Sequence, residues 1–214
     1  DEARELVEQS LRIALDHDLK EQVALAYRRR GNICEYRGDY EGQTRSHQQA
    51  ILYCQTNGAS GETTCLSCLA YACFRVGDWR EAVTGSRQVL QNPGVHPALQ
   101  AIANCVLGMI AAFRGERAPA RKRLHLALDR LRVDGLAGLE MFCLWALAHS
   151  HEMDGDVAAA AGCYDEIRAL WRETEDIHDV VPGLLFAGSH YADTGRPDAL
   201  ADCLDILGSV ERRN

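Results

Sequence analysis

Long apolar runs are missing from this sequence. No window approaches the roughly 18 consecutive apolar residues that a membrane-spanning helix needs, and the acidic first residues, DEARELVEQS, do not resemble a secretion signal. An excess of basic residues is missing too, because 23 Lys and Arg stand against 31 Asp and Glu, a net charge of −8. Such a chain repels a nucleic-acid backbone on average. We therefore expect a cytoplasmic protein that directly contacts neither a membrane nor a nucleic acid.

The apolar–polar alternation of half-buried strands is also lacking. Apolar residues make up 47% of the chain and charged residues 25%, which is enough to bury a substantial core. The apolar residues follow a helical period instead, as in Leu66, Leu69 and Cys73. An all-α fold is therefore predicted. Because the chain starts with Asp1 in the middle of such a pattern, without a Met, we expect it to be a fragment of a longer protein.

Glycine returns at a nearly constant spacing. Five glycines, separated by 39, 38, 40 and 40 residues, mark the repeat: Gly38, Gly77, Gly115, Gly155 and Gly195. Seven residues before each of them the residue is small: Gly31, Ala70, Gly108, Ala148 and Gly188. Self-similarity at such a period indicates a repeat architecture, and small residues at a fixed place let two helices approach closely. Each period therefore predicts one helical hairpin.

The turn of each hairpin is predicted to lie at the marker glycine. Glycine supplies the left-handed conformation that ends one helix, and Asp39, Asp78 or Asp156 can cap the next. The predicted helices are 2–16, 20–37, 40–56, 61–76, 79–91, 97–114, 117–133, 137–154, 157–173, 178–194 and 197–211. Residues 1–214 then form a single repeat domain of an orphan helix, 1–16, and hairpins 20–56, 61–91, 97–133, 137–173 and 178–211. The joint before the last hairpin is the acidic segment 173–179.

Four segments carry a resemblance to a known family. LSCLAYAC (66–73), VLGMIA (106–111) and LWALAHSH (144–151) partly match the W-x2-L-G-x2-Y pattern, and RGNICEYRGDY (30–40) matches its Gly-Asn and Gly-Asp-Tyr elements. On these residues the chain resembles the tetratricopeptide (TPR) family over almost its whole length. The spacing exceeds the usual period of about 34 residues, and the closing proline is missing. Joints such as LYCQTNGASGE (52–62) resemble the TPR regions of MalT-like and LuxR-type bacterial transcriptional regulators and related multidomain signalling ATPases.

The resemblance implies a right-handed, TPR-like superhelical solenoid of about five hairpins with an N-terminal orphan helix. In that family the first helices of the hairpins line a concave groove that binds peptides or partner proteins. Distance from each turn glycine places these residues in the groove: Arg28, Asn32, Tyr36, Tyr71, Phe74, Arg75, Met109, Phe113, Trp145, His149 and Glu152. Aromatic and Met side chains there would suit an apolar peptide face or a flat effector. The alternative is that any of them packs between neighbouring helices.

Cysteine and histidine motifs do not point to a metal or a catalyst. The nine cysteines recur in register, as with Cys34 and Cys73, four residues before their turns, so we expect them to fill helix contacts. Cys65 and Cys68 have no second pair at a zinc-site spacing, and we expect neither a metal nor another cofactor. His149 and Glu152 can meet across one helical turn, but no nucleophile or base accompanies them.

The leading hypothesis is a non-enzymatic binding module. It would be the sensor or interaction region of a bacterial transcriptional regulator, and its partner would be a protein or peptide segment or a small effector. The alternative is an oligomerisation or spacer scaffold in a multidomain signalling protein. In that case the apolar residues Leu6, Leu11, Ile13 and Leu15 of the orphan helix would attract a second copy of the chain or a neighbouring segment. An enzyme ranks last, because no constellation of catalytic residues supports it.

Overall fold

The computed structural model describes residues 2–174 and 180–213 of the chain, and the side chains among them up to residue 212. Within this part every regular element is an α-helix, which confirms the predicted all-α class. The eleven helices are α1 (Glu2–Asp16), α2 (Lys20–Tyr36), α3 (Tyr40–Asn57), α4 (Glu62–Arg75), α5 (Trp79–Gln91), α6 (Pro97–Phe113), α7 (Arg117–Asp134), α8 (Ala137–Met153), α9 (Val157–Thr174), α10 (Val180–Asp193) and α11 (Pro197–Arg213). Their ends agree with the predicted ends to within two residues, except that predicted residues 178 and 179 and most of the joint 173–179 lie outside the described residues.

Contacts between helices divide the chain into two compact units, Asp1–Val106 and Leu107–Asn214. In the first unit each helix from α1 to α4 packs against the next one along the chain. In the second unit α7 packs on α8, α8 on α9, and α10 on α8, α9 and α11. No described helix combines the length and the apolar content that crossing a membrane requires.

The five marker glycines all have the left-handed backbone that the sequence predicts. Their φ angles lie between 69° and 84°, a region that side chains of L-residues rarely adopt. At three of the joints an aspartate then caps the following helix. Asp39 accepts a hydrogen bond from the backbone N–H of Gly42 at 2.8 Å, Asp78 from Glu81 and Asp156 from Ala159. The recurring motif is therefore a helix stop followed at once by a helix start.

Two of the small residues seven positions before the turns, Gly31 and Gly108, lie where two helices cross closely, whereas a β-carbon added at Gly188 would meet only Cδ1 of Leu200 at an ordinary 3.6 Å. A β-carbon added at Gly31 would be 2.7 Å from Cε1 of His47, and one added at Gly108 would be 2.7 Å from Cγ of Leu124. Such distances leave no room for a side chain unless the neighbouring side chain or its helix shifts. Gly31 and Gly108 thus confirm the predicted close approach, in the first unit and in the second.

Most of the cysteines contribute to packing. Six of the nine are buried and all nine are free thiols. Burial raises the pKa of Cys65 to about 12 and that of Cys73 to about 11, so both thiols are neutral at physiological pH. A neutral, buried thiol behaves as a small apolar side chain, as the recurrence of cysteine in register predicts.

Candidate binding face

In the first unit Arg75, a predicted groove residue, contacts two tyrosines, one of which is the predicted groove residue Tyr71. Its guanidinium lies 4.8 Å from the ring centroid of Tyr40 and 5.9 Å from that of Tyr71. Nη1 donates a hydrogen bond to the Tyr71 hydroxyl at 3.0 Å, and Nη2 donates to the hydroxyl of Tyr40. Tyr40 begins α3 whereas the other two residues are on α4, so this cluster ties the two helices together.

The other predicted groove residues of the first unit differ in exposure. Tyr36 is 54% exposed, and Arg28 and Asn32 are half-buried. Tyr71 and Phe74 are buried, with 5% and 7% of their surface exposed. All five residues from 70 to 74 are buried, because the apolar residues of α4 are not confined to one face. Tyr71 and Phe74 therefore offer packing surface rather than binding surface.

Met109 requires the same correction in the second unit. The sequence places it in the groove, yet it is completely buried. The cause is the composition of α6, in which all ten residues from 103 to 112 are buried. A helix that is apolar on every side is enclosed by its neighbours and presents few residues to a ligand. Phe113, at the end of this helix, is the first residue after that segment to be partly exposed.

Four rings of the second unit form one continuous cluster, which we call the aromatic strip: Phe113, Trp145, His149 and Phe186. Phe113 lies 4.5 Å from His149 and 6.2 Å from Trp145, measured between ring centroids. Phe186 lies 5.2 Å from Trp145 and 6.1 Å from His149. Phe113, His149 and Phe186 are partly exposed, whereas Trp145 is 6% exposed and forms the base of the strip.

The aromatic strip joins three helices that hold the same position in successive hairpins. Phe113 ends α6, Trp145 and His149 are on α8, and Phe186 is on α10. Each of these is the first helix of its hairpin, which is where the resemblance to the TPR family expects a binding surface. Leu185, next to Phe186 in the sequence, is 59% exposed. The aromatic strip therefore has three rings that solvent reaches and one buried indole, that of Trp145.

A carboxylate lies beside the aromatic strip. Oε2 of Glu152 is 3.9 Å from Nδ1 of His149, which confirms the contact expected across one helical turn. Its Oε1 is 3.0 Å from Nδ1 of His190, which is on α10. Burial favours a higher pKa for Glu152, but the neighbouring His149, Tyr164 and His190 outweigh it and the pKa is lowered. Glu152 is thus ionised at neutral pH, and 28% of its side chain is exposed.

One buried donor in the aromatic strip has no acceptor. Nε1 of Trp145 is enclosed, and nothing in residues 2–174 and 180–212 accepts a hydrogen bond from it. Buried polar groups of this kind are uncommon, since an unmade hydrogen bond costs about 1–3 kcal/mol. A ligand that brings a hydrogen-bond acceptor to the indole N–H would therefore gain binding energy from it.

Phe186 and His190 contact predicted groove residues but were not themselves predicted from the register of the repeat. Phe186 and His190 lie nine and five residues before Gly195, where α8 has Ala146 and Ser150. Their register therefore indicated small, inward-facing residues. The spacing of Phe186 and His190 is the sign that could have identified them, because residues four apart lie on the same face of a helix.

No protein-family model and no curated protein sequence matches this chain. Among solved structures, the chain is similar to the crystal structure of BtubC (BKLC) from P. vanneervenii, with a TM-score of 0.63 and 16% sequence identity. The match covers 99% of this chain and 91% of that one. At this level of identity the similarity concerns the fold alone.

Proposed function

We propose that this chain is a non-enzymatic binding module of the TPR type, and that its aromatic strip receives an apolar segment of a protein or peptide, or a small flat effector. One observation carries the proposal: partly exposed rings from α6, α8 and α10 touch one another in an unbroken series. Aromatic side chains give a large contact area with few rotatable bonds, so that little entropy is lost when a ligand binds.

The proposal includes the finer form of the fold, a right-handed superhelical solenoid of about five hairpins. It is supported by the recurring joint of a left-handed glycine, with an aspartate cap at three of the five. The close helix crossings at Gly31 and Gly108 support it as well. In a solenoid each hairpin contacts mainly its neighbours, so a ligand that touches several hairpins changes the pitch. Such a change is how the sensor region of a bacterial transcriptional regulator would report occupancy to other domains.

The groups around the aromatic strip define the ligand chemistry. The ionised carboxylate of Glu152 favours a basic residue or another hydrogen-bond donor next to the apolar part of the ligand. Nε1–H of Trp145 has no acceptor among the described residues, so a ligand carbonyl oxygen that reached it would gain a hydrogen bond. The expected ligand is therefore a segment that has one or two large apolar side chains with Lys or Arg close by.

Selection from a random peptide library followed by NMR mapping tests this function. The full chain serves as bait, and enriched peptides are titrated into ¹⁵N-labelled protein while amide shifts are followed. Enriched sequences are expected to pair apolar with basic residues, and the largest shifts are expected near Phe113, His149 and Phe186. Shifts concentrated on the second helices of the hairpins, α7, α9 and α11, would show that binding occurs elsewhere and would contradict the proposal.

A second candidate function, self-association through α1, is favoured by the exposure of its apolar residues. Leu6 is 57% exposed and Ile13 is 49% exposed, and their seven-residue spacing puts them on one face of the helix. Leu11 and Ala14, in contrast, pack into α2 against Val23. Sedimentation of the double variant Leu6→Lys/Ile13→Lys distinguishes the two candidates. A mass that falls to that of a single chain supports self-association, and an unchanged mass excludes this face as its cause.

A further inference from the structure

Helices α1, α2 and α3 of the first unit surround an open depression of about 510 Å³. Its wall carries four arginines and two carboxylates: Arg4, Arg30, Arg37, Arg45, Glu8 and Asp39. The volume is within the range of about 300–1,000 Å³ that is typical of small-molecule sites. The net charge of the chain is −8, so this wall differs in sign from the chain as a whole.

Arg30 is held in a fixed position at the floor of the depression. Its Nε donates to Oγ of Ser46 at 3.2 Å, its Nη2 donates to Oε1 of Gln49, and its guanidinium lies 5.0 Å from the ring centroid of Tyr27. The hydroxyl of Ser46 is itself anchored, because it donates to the carbonyl oxygen of Gly42 at 2.8 Å. With 21% of its side chain exposed, Arg30 is preordered and still reachable. An anion that meets such a group loses little affinity to side-chain ordering.

Both carboxylates of the wall are already engaged. Oδ1 of Asp39 accepts the hydrogen bond from the backbone of Gly42 that caps α3, and Oε1 of Glu8 lies 3.5 Å from Nη1 of Arg30. Burial and the neighbouring Asp39 raise the pKa of the Cys34 thiol, so it adds no negative charge at neutral pH. Among the described residues, the wall has two more arginines than carboxylates.

Three arginines stand at the rim of the depression. Arg4, Arg37 and Arg45 are exposed. Arg45 pairs with Glu41 at 3.7 Å, but Glu41 is 85% exposed, and surface pairs of this kind contribute little. A guanidinium is a planar fork of donors that matches the oxygens of phosphate or carboxylate in pairs. The rim therefore supplies three guanidinium groups in addition to that of Arg30, which is held in place by its contacts.

We infer that this depression binds a small organic molecule through a multiply charged oxyanion, which is either a phosphate group or a cluster of carboxylates. Arg30 positions the anion from below, and Arg4, Arg37 and Arg45 close on it from the rim. The exposed amide of Gln49 adds a polar contact for the uncharged part of the molecule. The site lies in the first unit, so it goes beyond the binding function proposed for the aromatic strip of the second.

Calorimetric titration of the full chain tests this site with pyrophosphate and, separately, citrate as probes. The rim variant is Arg4→Gln/Arg37→Gln/Arg45→Gln. The matched control is Arg29→Gln/Arg80→Gln/Arg87→Gln, three exposed arginines that do not line the depression and whose loss changes the net charge equally. Circular dichroism checks that both triple variants are folded.

Saturable binding of at least one probe is expected in the natural chain and in the control, with binding about tenfold or more weaker in the rim variant. Preference for pyrophosphate identifies a phosphate ligand, and preference for citrate identifies a carboxylate ligand. The inference is overturned if neither probe saturates below about 10 mM, or if the control loses as much affinity as the rim variant.

Discussion

The imidazole of His149 lies against the ring of Phe113, with 4.5 Å between the ring centroids and 33° between the ring planes. This contact joins α8 to the end of α6, and Phe186 flanks the same imidazole from α10. Because His149 has neighbours on two sides and is still partly exposed, it can contact a ligand without first losing much side-chain freedom. The binding account depends on this combination of order and exposure.

Helix α6 crosses α7 closely at Gly108, so we expect that adding a single methyl group at this position lowers the stability of the fold. Gly108→Ala places a β-carbon 2.7 Å from Cγ of Leu124, and we expect it to lower the free energy of unfolding by about 1–3 kcal/mol. Gly162→Ala is the matched control, because a β-carbon there meets nothing within 4 Å. The control should gain about 0.5–1 kcal/mol from improved helix propensity. Urea unfolding measures both, and equal stability of the two variants would contradict the proposed crossing.

His47 should make the first unit sensitive to mild acid. The ring is fully buried, neither ring nitrogen has a hydrogen-bond partner within residues 2–174 and 180–212, and it packs against Gly31. Burial, with a smaller contribution from the charge of Arg28, lowers the pKa of His47 to about 4. The unfolded chain binds this proton near pH 6.5, so stability is complete above that pH and falls as the pH drops toward 4. The full loss is about 3 kcal/mol.

The variant His47→Leu removes the titrating group while keeping an apolar side chain of similar size. Unfolding free energies at pH 7, 6 and 5 should fall less steeply for this variant than for the natural chain. His125→Leu, which changes an exposed histidine on α7, should keep the natural slope. If His47→Leu has the same slope as the natural chain, His47 is not the group responsible.

Ionisation of Glu152 should give the free energy of unfolding a second dependence on pH, at lower pH than that of His47. Its pKa in the folded chain lies below the ordinary value of 4.5, because its interactions with His149, Tyr164 and His190 outweigh the opposing effect of burial. The unfolded chain therefore takes up the proton first as pH falls, and the stabilisation is present above pH 4.5 and is lost below it. Glu152→Gln should be less stable than the natural chain at pH 7, with a difference that shrinks below about pH 4.5. Glu173→Gln, at an exposed position, should show no such change. A pH-independent difference for Glu152→Gln would refute this role.

The sequence was sufficient to predict the local features of the fold. Gly77 and Asp78 specify a joint through backbone conformation and capping, which depend on residues next to them in the chain. Helix ends and the close crossings at Gly31 and Gly108 were predictable for the same reason, since each hairpin contains both partners of the contact.

Burial of individual groove residues could not be predicted in the same way. Met109 has the register of a groove residue, but its exposure depends on how many other helices cover α6. Contacts between hairpins were also beyond prediction, such as the ion pair of Arg121 with Asp154 and the approach of His190 to Glu152. Each of these joins residues more than 30 positions apart, and no local pattern fixes that distance in space.

Affinity of a library-selected peptide for Phe186→Ala tests the central claim most directly, with Leu126→Ala as the control. Both variants shorten an accessible apolar side chain of the second unit, but Leu126, which is 62% exposed on α7, does not belong to the aromatic strip. The account predicts that Phe186→Ala binds the peptide about tenfold or more weakly, a loss of the size seen at interface hot spots, while Leu126→Ala binds it like the natural chain. Equal affinity of the peptide for the natural chain and both variants would contradict the claim that the strip is the binding face.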